Sequence, residues 1–490
     1  MEMKIPFRRL AASSWWILLV GALTVSAYTH WRAGFTFPSP WNDEPWFLWT
    51  SVELCDTGHW ASPSLRPDAP LVLSPLFALA NAGLYKLFGI GLGVSRWFSW
   101  VCMALAGLAI MDMSRRRPWP WLSAFVVSLF LLGADSVIAG NMARPEAMIW
   151  MLATWGFALL DRGKTGQGLL LVALAINLHI LGIVFFSGAL CIAGVQSFDR
   201  IRAKRPWTTR EKCWIALAAV TASALVLYNA SRFDSTVFTA ATQEDTSSIW
   251  RRLGISYRWF WLAIGGVAWL HCAFRKRDHL CCLSLALLGL LPLVLRSQMW
   301  YAVYEQQGFG MLLLSLSWVA GDLFRGGFPR IARFASAAVA VGMLVFAYRF
   351  GWITGPRNYP EKLQWGWGMT IEKTPPVYLS QEDKNAILGE ISRHLDGRPR
   401  PVRVFFCPEA DGLFFHGILP DGVIPYQGVR TDVMGDMAVF RFSRHMPEWA
   451  RNQHVRKLLT AYDGGEVFPF RTRDGTESWL FVDGNGAATR

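Results

Sequence analysis

The sequence predicts a polytopic α-helical membrane protein with a C-terminal mixed α/β domain outside the cytoplasm. Hydrophobic residues fill 53% of its 490 positions and charged residues only 17%, whereas ordinary soluble domains carry about 25% charged residues. The apolar residues fall in long runs, which indicates membrane-spanning helices rather than one large soluble core. From about residue 355 the sequence becomes polar and rich in glycine and proline, which indicates a separate domain.

The net charge of +13 has two interpretations. Nucleic-acid binding would need a basic stretch interleaved with exposed aromatic residues, and no such stretch lies outside the apolar runs. Membrane proteins carry the same excess as lysine and arginine in their cytoplasmic loops. We therefore interpret the net positive charge as the result of basic cytoplasmic loops, and we expect no nucleic-acid partner.

The apolar runs predict the individual spans. A signal peptide is the alternative for the first run, which follows "MEMKIPFRRL", but we favour an uncleaved helix because many more spans follow. The runs lie at 14–30, 92–112, 119–139, 146–160, 167–196, 213–229, 257–274, 279–296, 303–321 and 332–350.

The run 167–196 decides how many spans the chain has. As a single helix it would put the basic loop 200–212 outside and invert every later loop, against the positive-inside rule. Two short helices that meet near Asn177-Leu178-His179 keep every basic cluster in the cytoplasm, and buried protein or water can surround such a polar apex. We therefore predict a helical hairpin and about eleven spans in all. The basic clusters are Arg8-Arg9, Arg115-Arg116-Arg117, Arg162 with Lys164, Arg200 to Lys212, Arg275-Lys276-Arg277 and Arg325 to Arg333.

This topology divides the chain into a transmembrane domain, 1–354, and an outer domain, 355–490. Within the first domain, 31–91 form the first outside loop. Residues 71–90 are apolar but broken by Pro75 and Gly83 and too short to cross and return, so we predict an amphipathic or re-entrant element at the interface. In the second domain, strand-like runs alternate with helical patterns, as in a small α/β fold. The predicted strands are 402–407, 437–442 and 478–483, and the predicted helices are 381–395 and 446–461.

The eight cysteines contain no CxxC pair and no metal-ligand spacing. Most lie in apolar runs, where a thiol acts as a small hydrophobic group. Cys55 and Cys407 would face the outer side together, so a disulfide between them is left open.

The densest polar chemistry is in the first outside loop, around "WNDEPWFLW" at 41–49. Asp43 and Glu44 lie among tryptophans, and a carboxylate with apolar aromatic walls can act as a general base. The alternative is that both acids cap the helix that follows, with Pro45 in its first turn. The loop sequence alone leaves both interpretations open.

The order of several stretches resembles the polytopic glycosyltransferases of the GT-C superfamily, in particular the bacterial group similar to protein O-mannosyltransferases and lipid A aminoarabinose transferases. The resemblance covers roughly 14–320, and "YEQQGFG" departs from the proline-containing stretch of that family. It rests on the Asp-Glu pair and on "PLVLSPLFALANAGLYKLFGIGLGVSRWFSWVCMALAGLAIM", "NMARPEAMIW", "GLLLVALAINLHILGIVFF" and "MWYAVYEQQGFGMLLLSL".

The resemblance implies an inverting hexosyl- or pentosyltransferase in a bacterial inner membrane, with the C-terminal domain in the periplasm. Such enzymes take a sugar from a polyprenyl-phosphate donor at the outer face and pass it to a lipid, glycan or protein acceptor. An aspartate of the first loop deprotonates the acceptor, which by position implies Asp43, with Glu44 as its helper or substitute. A polytopic transporter or lipid flippase is the alternative. Such proteins commonly show internal repeats and midplane charges, and neither is clear in this sequence.

This chemistry needs a cation for the donor phosphate, and Arg144 is the first candidate. It precedes a predicted helix N-terminus, which also favours an anion; the alternative is that "RPE" only starts a helix. Arg96 matches the arginine of the family stretch, with snorkelling to the interface as its alternative. Further candidates, for which anchoring at the interface is the alternative, are Lys86, Arg258 and Arg296.

Other residues are candidates for the acceptor, the sugar or a metal. Some relatives have a histidine near a metal at the hairpin, so the resemblance suggests a divalent metal ion at His179 as a further hypothesis. No close ligand spacing accompanies this histidine. The candidates for positioning the acceptor or the sugar are Glu146, His59, Tyr301 and Tyr304.

Overall fold

The computed structural model describes a mostly helical chain with a small mixed sheet near its C-terminus. Its described residues are 15–33, 43–60, 74–115, 120–132, 139–179, 181–231, 257–274, 279–295, 311–312, 314–316, 318–319, 379–407, 411–426, 435–441, 448–472 and 477–483. The predicted domain boundary at 354/355 lies outside these residues.

Backbone contacts divide the chain into two compact units that cut across the sequence order. The first unit contains Met1–Arg32, Ser99–Gly140 and Pro145–Glu372. The second unit contains Ala33–Phe98, Asn141–Arg144 and Lys373–Arg490. The first outside loop therefore belongs to the same unit as the C-terminal residues.

Among the described residues before position 300, eleven helices are formed, and most match the predicted apolar runs. They are α1 (Trp15–Ala33), α2 (Asp43–Asp56), α3 (Pro75–Phe88), α4 (Leu92–Ser114), α5 (Pro120–Leu132), α6 (Glu146–Asp161), α7 (Thr165–Ala175), α8 (Leu181–Arg202), α9 (Thr209–Ser231), α10 (Tyr257–Phe274) and α11 (Leu280–Leu295). Short helical pieces follow within 311–319, in the run predicted at 303–321, and the run 332–350 lies outside the described residues.

Three described helices are long and apolar enough to cross a membrane, as expected of a membrane protein. They are Leu92–Ser114 in α4, Gly182–Arg202 in α8 and Thr209–Tyr228 in α9. Shorter apolar helices also occur, among them Thr165–Ala175 and Leu280–Leu290.

The predicted break in the run 167–196 is confirmed. The helix α7 ends at Ala175, a turn contains Asn177, and α8 begins at Leu181. The two helices pack closely, because a Cβ on Gly182 would meet the carbonyl group of Ala175. They are unequal, however: α7 is 11 residues long and α8 is 22, so the prediction of two short helices is wrong for the second.

Glycines let α6 and α7 approach each other. A Cβ on Gly168 would lie 2.7 Å from the carbonyl oxygen of Gly156, and a Cβ on Gly156 would lie 2.9 Å from that of Gly168. Small residues at such a crossing allow close backbone packing of membrane helices. At the end of α6, Arg162 pairs with Asp112 of α4, its Nε donating to Oδ2 at 2.9 Å.

The described part of the segment 71–90 is not broken at Pro75 or Gly83, whereas its place at the interface stays a prediction. Residues Pro75–Phe88 form the continuous helix α3, in which Pro75 is the first residue and Gly83 an interior one. Proline is well suited to the first helical turn, because a backbone N–H there would have no helical partner and its absence costs no helical hydrogen bond. Pro75 therefore starts this helix rather than breaking it.

The C-terminal residues form a five-stranded mixed sheet with helices on both faces. The elements are α12 (Gln381–Arg393), β1 (Val402–Cys407), α13 (Asp411–Phe415), β2 (Val423–Tyr426), β3 (Met437–Arg441), α14 (Glu448–Ala461), β4 (Glu466–Arg471) and β5 (Glu477–Val482). The strand order is β2-β1-β3-β5-β4, with β1 parallel to β2 and β3, and β5 antiparallel to β3 and β4. The predicted strands and helices are confirmed, whereas β2, β4 and α13 were not predicted.

Each face of this sheet has its own core. On one face Val404, Phe406 and Val439 pack with Ile387 and Ile391 of α12. On the other, strand residues pack with Leu458 of α14. Ser380 caps α12, since its Oγ accepts the Asp383 N–H at 3.0 Å. In return, Oδ2 of Asp383 accepts the Ser380 N–H at 3.2 Å, which is the arrangement of a capping box.

Candidate functional site

The helix α2 begins with the two acids that the sequence singled out. Asp43 is its first helical residue and Glu44 its second. Pro45 follows in the first turn, where proline is favourable. The backbone thus puts both acids at the N-terminal end of α2, at the start of the first-loop helix.

The Glu44 carboxylate pairs with Arg96 of α4. Nε of Arg96 donates to Oε2 at 3.0 Å and Nη2 donates to Oε1 at 2.5 Å. Glu44 is 0% exposed and Arg96 is 1% exposed. Arg96 is therefore buried in a two-point ion pair, the geometry in which guanidinium–carboxylate bonds are strongest, and it does not extend to the surface as the snorkelling interpretation requires.

The same carboxylate also binds a distant backbone turn. Oε2 of Glu44 accepts the Ala143 N–H at 2.7 Å, from a residue 99 positions along the chain. The turn is compact, because the Arg144 N–H donates to the Met142 carbonyl oxygen at 2.9 Å. A local helix cap does not account for these contacts, since Glu44 joins α2, α4 and the 141–144 turn.

Arg144, at the end of that turn, contacts α2 near its start. Its guanidinium carbon lies 5.3 Å from the centroid of the Phe47 ring, within the range of a cation–π contact. Phe47 follows Asp43 by four residues, and residues so spaced share one face of a helix. Arg144 and Asp43 are thus both associated with the first turns of α2.

A second buried polar contact adjoins the ion pair. The hydroxyl groups of Tyr85 on α3 and Ser95 on α4 are 2.7 Å apart, and Ser95 precedes Arg96. Burial raises the pKa of Tyr85 above its ordinary range, although the bond to Ser95 acts in the opposite direction. Tyr85 therefore remains a neutral phenol next to the Glu44–Arg96 pair. The sequence interpretation missed it, because a tyrosine in an apolar run carries no signal of its own.

The other end of α2 contacts the C-terminal part of the same unit. Nε2 of His416 lies 2.6 Å from Oδ2 of Asp56, the last residue of α2. The Thr57 hydroxyl donates to the Glu53 carbonyl at 2.9 Å and lies 3.2 Å from Oε1 of Glu53. The sequence could not link His416 to α2, since the two residues are 360 positions apart.

Cys55 and Lys86 are also associated with this second end of α2. Burial raises the pKa of the Cys55 thiol, and the nearby Lys86 ammonium lowers it. Cys55 is separated from Asp43 by about 18 Å of helix at the usual rise per residue. Lys86 is thus associated with the end of α2 away from Asp43. Cys55 and Cys407 form no disulfide, and the Cys55 thiol lies 3.3 Å from the Ala82 carbonyl oxygen.

The remaining candidates lie outside α2 in the chain, and several lie outside the described side chains. Glu146 is the buried first residue of α6, in the other unit, and His179 lies in the turn between α7 and α8, where its carbonyl accepts the Gly182 N–H at 2.8 Å. The His59 side chain is exposed. Arg258 lies in α10, but its side chain is outside the description, as are Arg296, Tyr301 and Tyr304 entirely.

The metal hypothesis finds no support in the described side chains. Among them, no group of three or more histidine, cysteine, aspartate or glutamate residues is arranged to hold a metal ion. The role of His179 therefore stays a prediction, and no chemical step below depends on a metal.

Comparisons with known proteins give no family assignment. No family model matches the chain. No curated protein matches it either.

Proposed function

We propose that the chain is an inverting, GT-C-like glycosyltransferase with about eleven spans. It moves a sugar from a polyprenyl-phosphate donor to a lipid, glycan or protein acceptor at the outer face of a bacterial inner membrane. Its C-terminal domain is then periplasmic. The three long apolar helices support the membrane location, and the sequence resemblance supports the reaction.

One observation carries the assignment of the site. The buried Glu44 carboxylate binds both Arg96 and the Ala143 N–H, and so it ties the start of α2 to the turn that ends in Arg144. The candidate base Asp43 and the candidate phosphate ligand Arg144 are thereby brought to one end of one helix. Fixing reacting groups in this way is a main source of rate enhancement.

Each residue then has one role in the transfer. Asp43 takes the proton from the acceptor hydroxyl, whose oxygen forms a bond to the anomeric carbon. The bond between that carbon and the phosphate oxygen breaks, and its electron pair leaves with the lipid phosphate. Attack from the face opposite the leaving group inverts the configuration. The charge that develops on the phosphate is stabilised by the Arg144 guanidinium, as preorganised cations do in transition states.

The ion pair also separates the roles of the two acids. Because Glu44 is fully buried and already bonded to two N–H groups of Arg96, its carboxylate is not in a position to receive a proton from a bulky acceptor. We assign it to positioning, together with Arg96. Arg144 is favoured over Arg96 as the phosphate ligand for the same reason.

The test is release of polyprenyl phosphate from a panel of lipid-linked sugars by membranes that carry the wild-type chain or a variant. We expect Asp43→Asn to slow release by about 10²- to 10⁴-fold, the usual contribution of a general base. The matched control is Glu53→Gln, which removes an acid from the other end of α2. It should leave release within about twofold of wild type, because Glu53 is a partly exposed carboxylate outside the proposed chemistry. Undiminished release by the Asp43 variant would remove it from the mechanism, and no release from any donor by the wild type would contradict the class.

A further inference from the structure

The C-terminal end of α2 carries an unfavourable charge. Its last turn contains Glu53 and Asp56 and no basic residue. The C-terminal end of a helix has a partial negative charge, which repels carboxylates and attracts cations. The Glu53 side chain contacts the Thr57 hydroxyl, whereas Asp56 contacts a donor from another part of the chain.

His416 supplies that donor from the far end of the sequence. Its Nε2 lies 2.6 Å from Oδ2 of Asp56, and the two side chains are 20% and 44% exposed. An imidazolium ring in this place would offset both the Asp56 charge and the partial charge of the helix end. A neutral ring with its proton on Nε2 would still donate the hydrogen bond.

The short helix α13, which directly precedes His416, is held at both of its ends. The short helix α13 begins at Asp411, whose carboxylate accepts two bonds from Arg441 of β3 at 2.7 and 2.8 Å, and both residues are buried. It ends at Phe415, which is 0% exposed and stacks on Phe406 of β1 with ring centroids 4.7 Å apart. His416 follows Phe415 directly, so the sheet core determines where its backbone lies.

We propose that His416 is a positioning residue, which acts through Asp56 to hold α2 in place. The C-terminal domain thereby supports the first-loop helix at the end opposite Asp43 and Glu44. That this support serves sugar transfer rests on the proposed function. The contact between His416 and Asp56, and its effect on α2, do not depend on the proposed function.

The size of the effect follows from the exposure of the pair. Exposed ion pairs contribute little, and charges at a helix end contribute typically 0.3–1 kcal/mol. We therefore expect loss of the pair to raise the opening of α2 by about two- to fivefold. Hydrogen exchange of the α2 amides measures such local opening directly.

The experiment compares deuterium uptake by peptides covering 43–56 in the full-length, detergent-solubilised chain. His416→Ala should raise the exchange rate of these amides by about two- to fivefold. In an Asp56→Asn background the same change should add little, because the carboxylate with which His416 pairs is already absent. Exchanging the partners, Asp56→His with His416→Asp, should restore protection, because the pair is re-formed and the histidine then lies at the helix end. A side chain that matters only for the fold of its own domain would not be rescued in this way.

The matched control is His394→Ala. His394 is 22% exposed and pairs with an acid, Glu390, at 3.4 Å, but that acid is on its own helix α12. Its loss should leave exchange in α2 unchanged. Equal exchange in α2 for wild type and His416→Ala would overturn the proposal, as would an equal effect of His394→Ala. No sugar donor is needed, so failure of the proposed function would leave the result intact.

Discussion

Glu44 has a structural task that its place beside Asp43 does not reveal. Removing two charges from water costs several kcal/mol per ion, which a buried pair regains only with good geometry and further hydrogen bonds. Here the Arg96 guanidinium supplies two bonds and the Ala143 N–H a third. Three segments distant in sequence are thus joined at one carboxylate. Apolar side chains could fill the same volume, but they would not specify which segments meet.

At this scale we predict that Glu44→Ala lowers the free energy of unfolding by about 3–5 kcal/mol, because it leaves the Arg96 charge buried without its partner. The double change Glu44→Leu with Arg96→Leu should recover most of this loss, since it removes both charges together. Thermal or denaturant unfolding followed by tryptophan fluorescence measures both effects.

The matched control for that prediction is Glu211→Ala. Glu211 pairs with Arg200 at 3.2 Å, but both side chains are partly exposed, so its loss should cost less than about 1 kcal/mol. If the double leucine variant were less stable than Glu44→Ala, the Glu44–Arg96 pair would not be the unit that determines stability.

The individual site residues could be predicted from the sequence only in part. Chemical type, topology and the family resemblance together pointed to Asp43, Glu44, Arg96 and Arg144, but not to their pairing. Arg96 follows Glu44 by 52 positions, and no local pattern reports a contact over that distance. The roles assigned to Arg96 and Glu44 therefore change once the ion pair between them is known.

At the scale of elements, helices followed from hydrophobic runs, but edge strands did not follow from their own sequences. The edge strands β2 and β4 each contain a proline, Pro425 and Pro469. Proline cannot donate a ladder hydrogen bond and is therefore confined to edge strands, strand starts and bulges. A residue that argues against a strand in isolation is thus compatible with one at the edge of a formed sheet.

The crossing of α6 and α7 gives a prediction at the same scale. Gly168→Ala should destabilise the packing of α6 on α7 by about 1–3 kcal/mol, because its Cβ would lie 2.7 Å from the Gly156 carbonyl oxygen and overpacking costs this much. Gly194→Ala in α8 is the control, since nothing lies within 4 Å of its Cβ position. Thermal unfolding in detergent should separate the two variants. Equal stability of both would show that α6 and α7 are not in close contact.

At the scale of the whole molecule, charge determines orientation. The connection between α8 and α9 is exposed and basic, with Lys204 and Arg205, and Arg200 lies over the Trp207 ring with its guanidinium carbon 3.9 Å from the centroid. The positive-inside rule predicts that this connection is cytoplasmic. Because α9 leaves the same connection, we expect its far end on the outer side.

We therefore predict that a reporter inserted at 203–208 reads cytoplasmic and that one fused after residue 355 reads periplasmic. Paired enzyme reporters, each active on one side of the membrane, measure this at both sites in the same chain. A cytoplasmic signal after residue 355 would contradict the topology of about eleven spans and, with it, a periplasmic site at α2.

The contact between Asp56 and His416 also has a consequence in time. The ribosome makes Asp56 360 residues before His416, which at ordinary rates of synthesis is an interval of about 20–70 s. During this interval the residues of α2 have been synthesised, but the C-terminal residues that contact α2 have not. The unit that carries Asp43 and Glu44 is completed only after the last part of the chain has been translated, so a chain that stops early contains both acids without the domain that supports their helix.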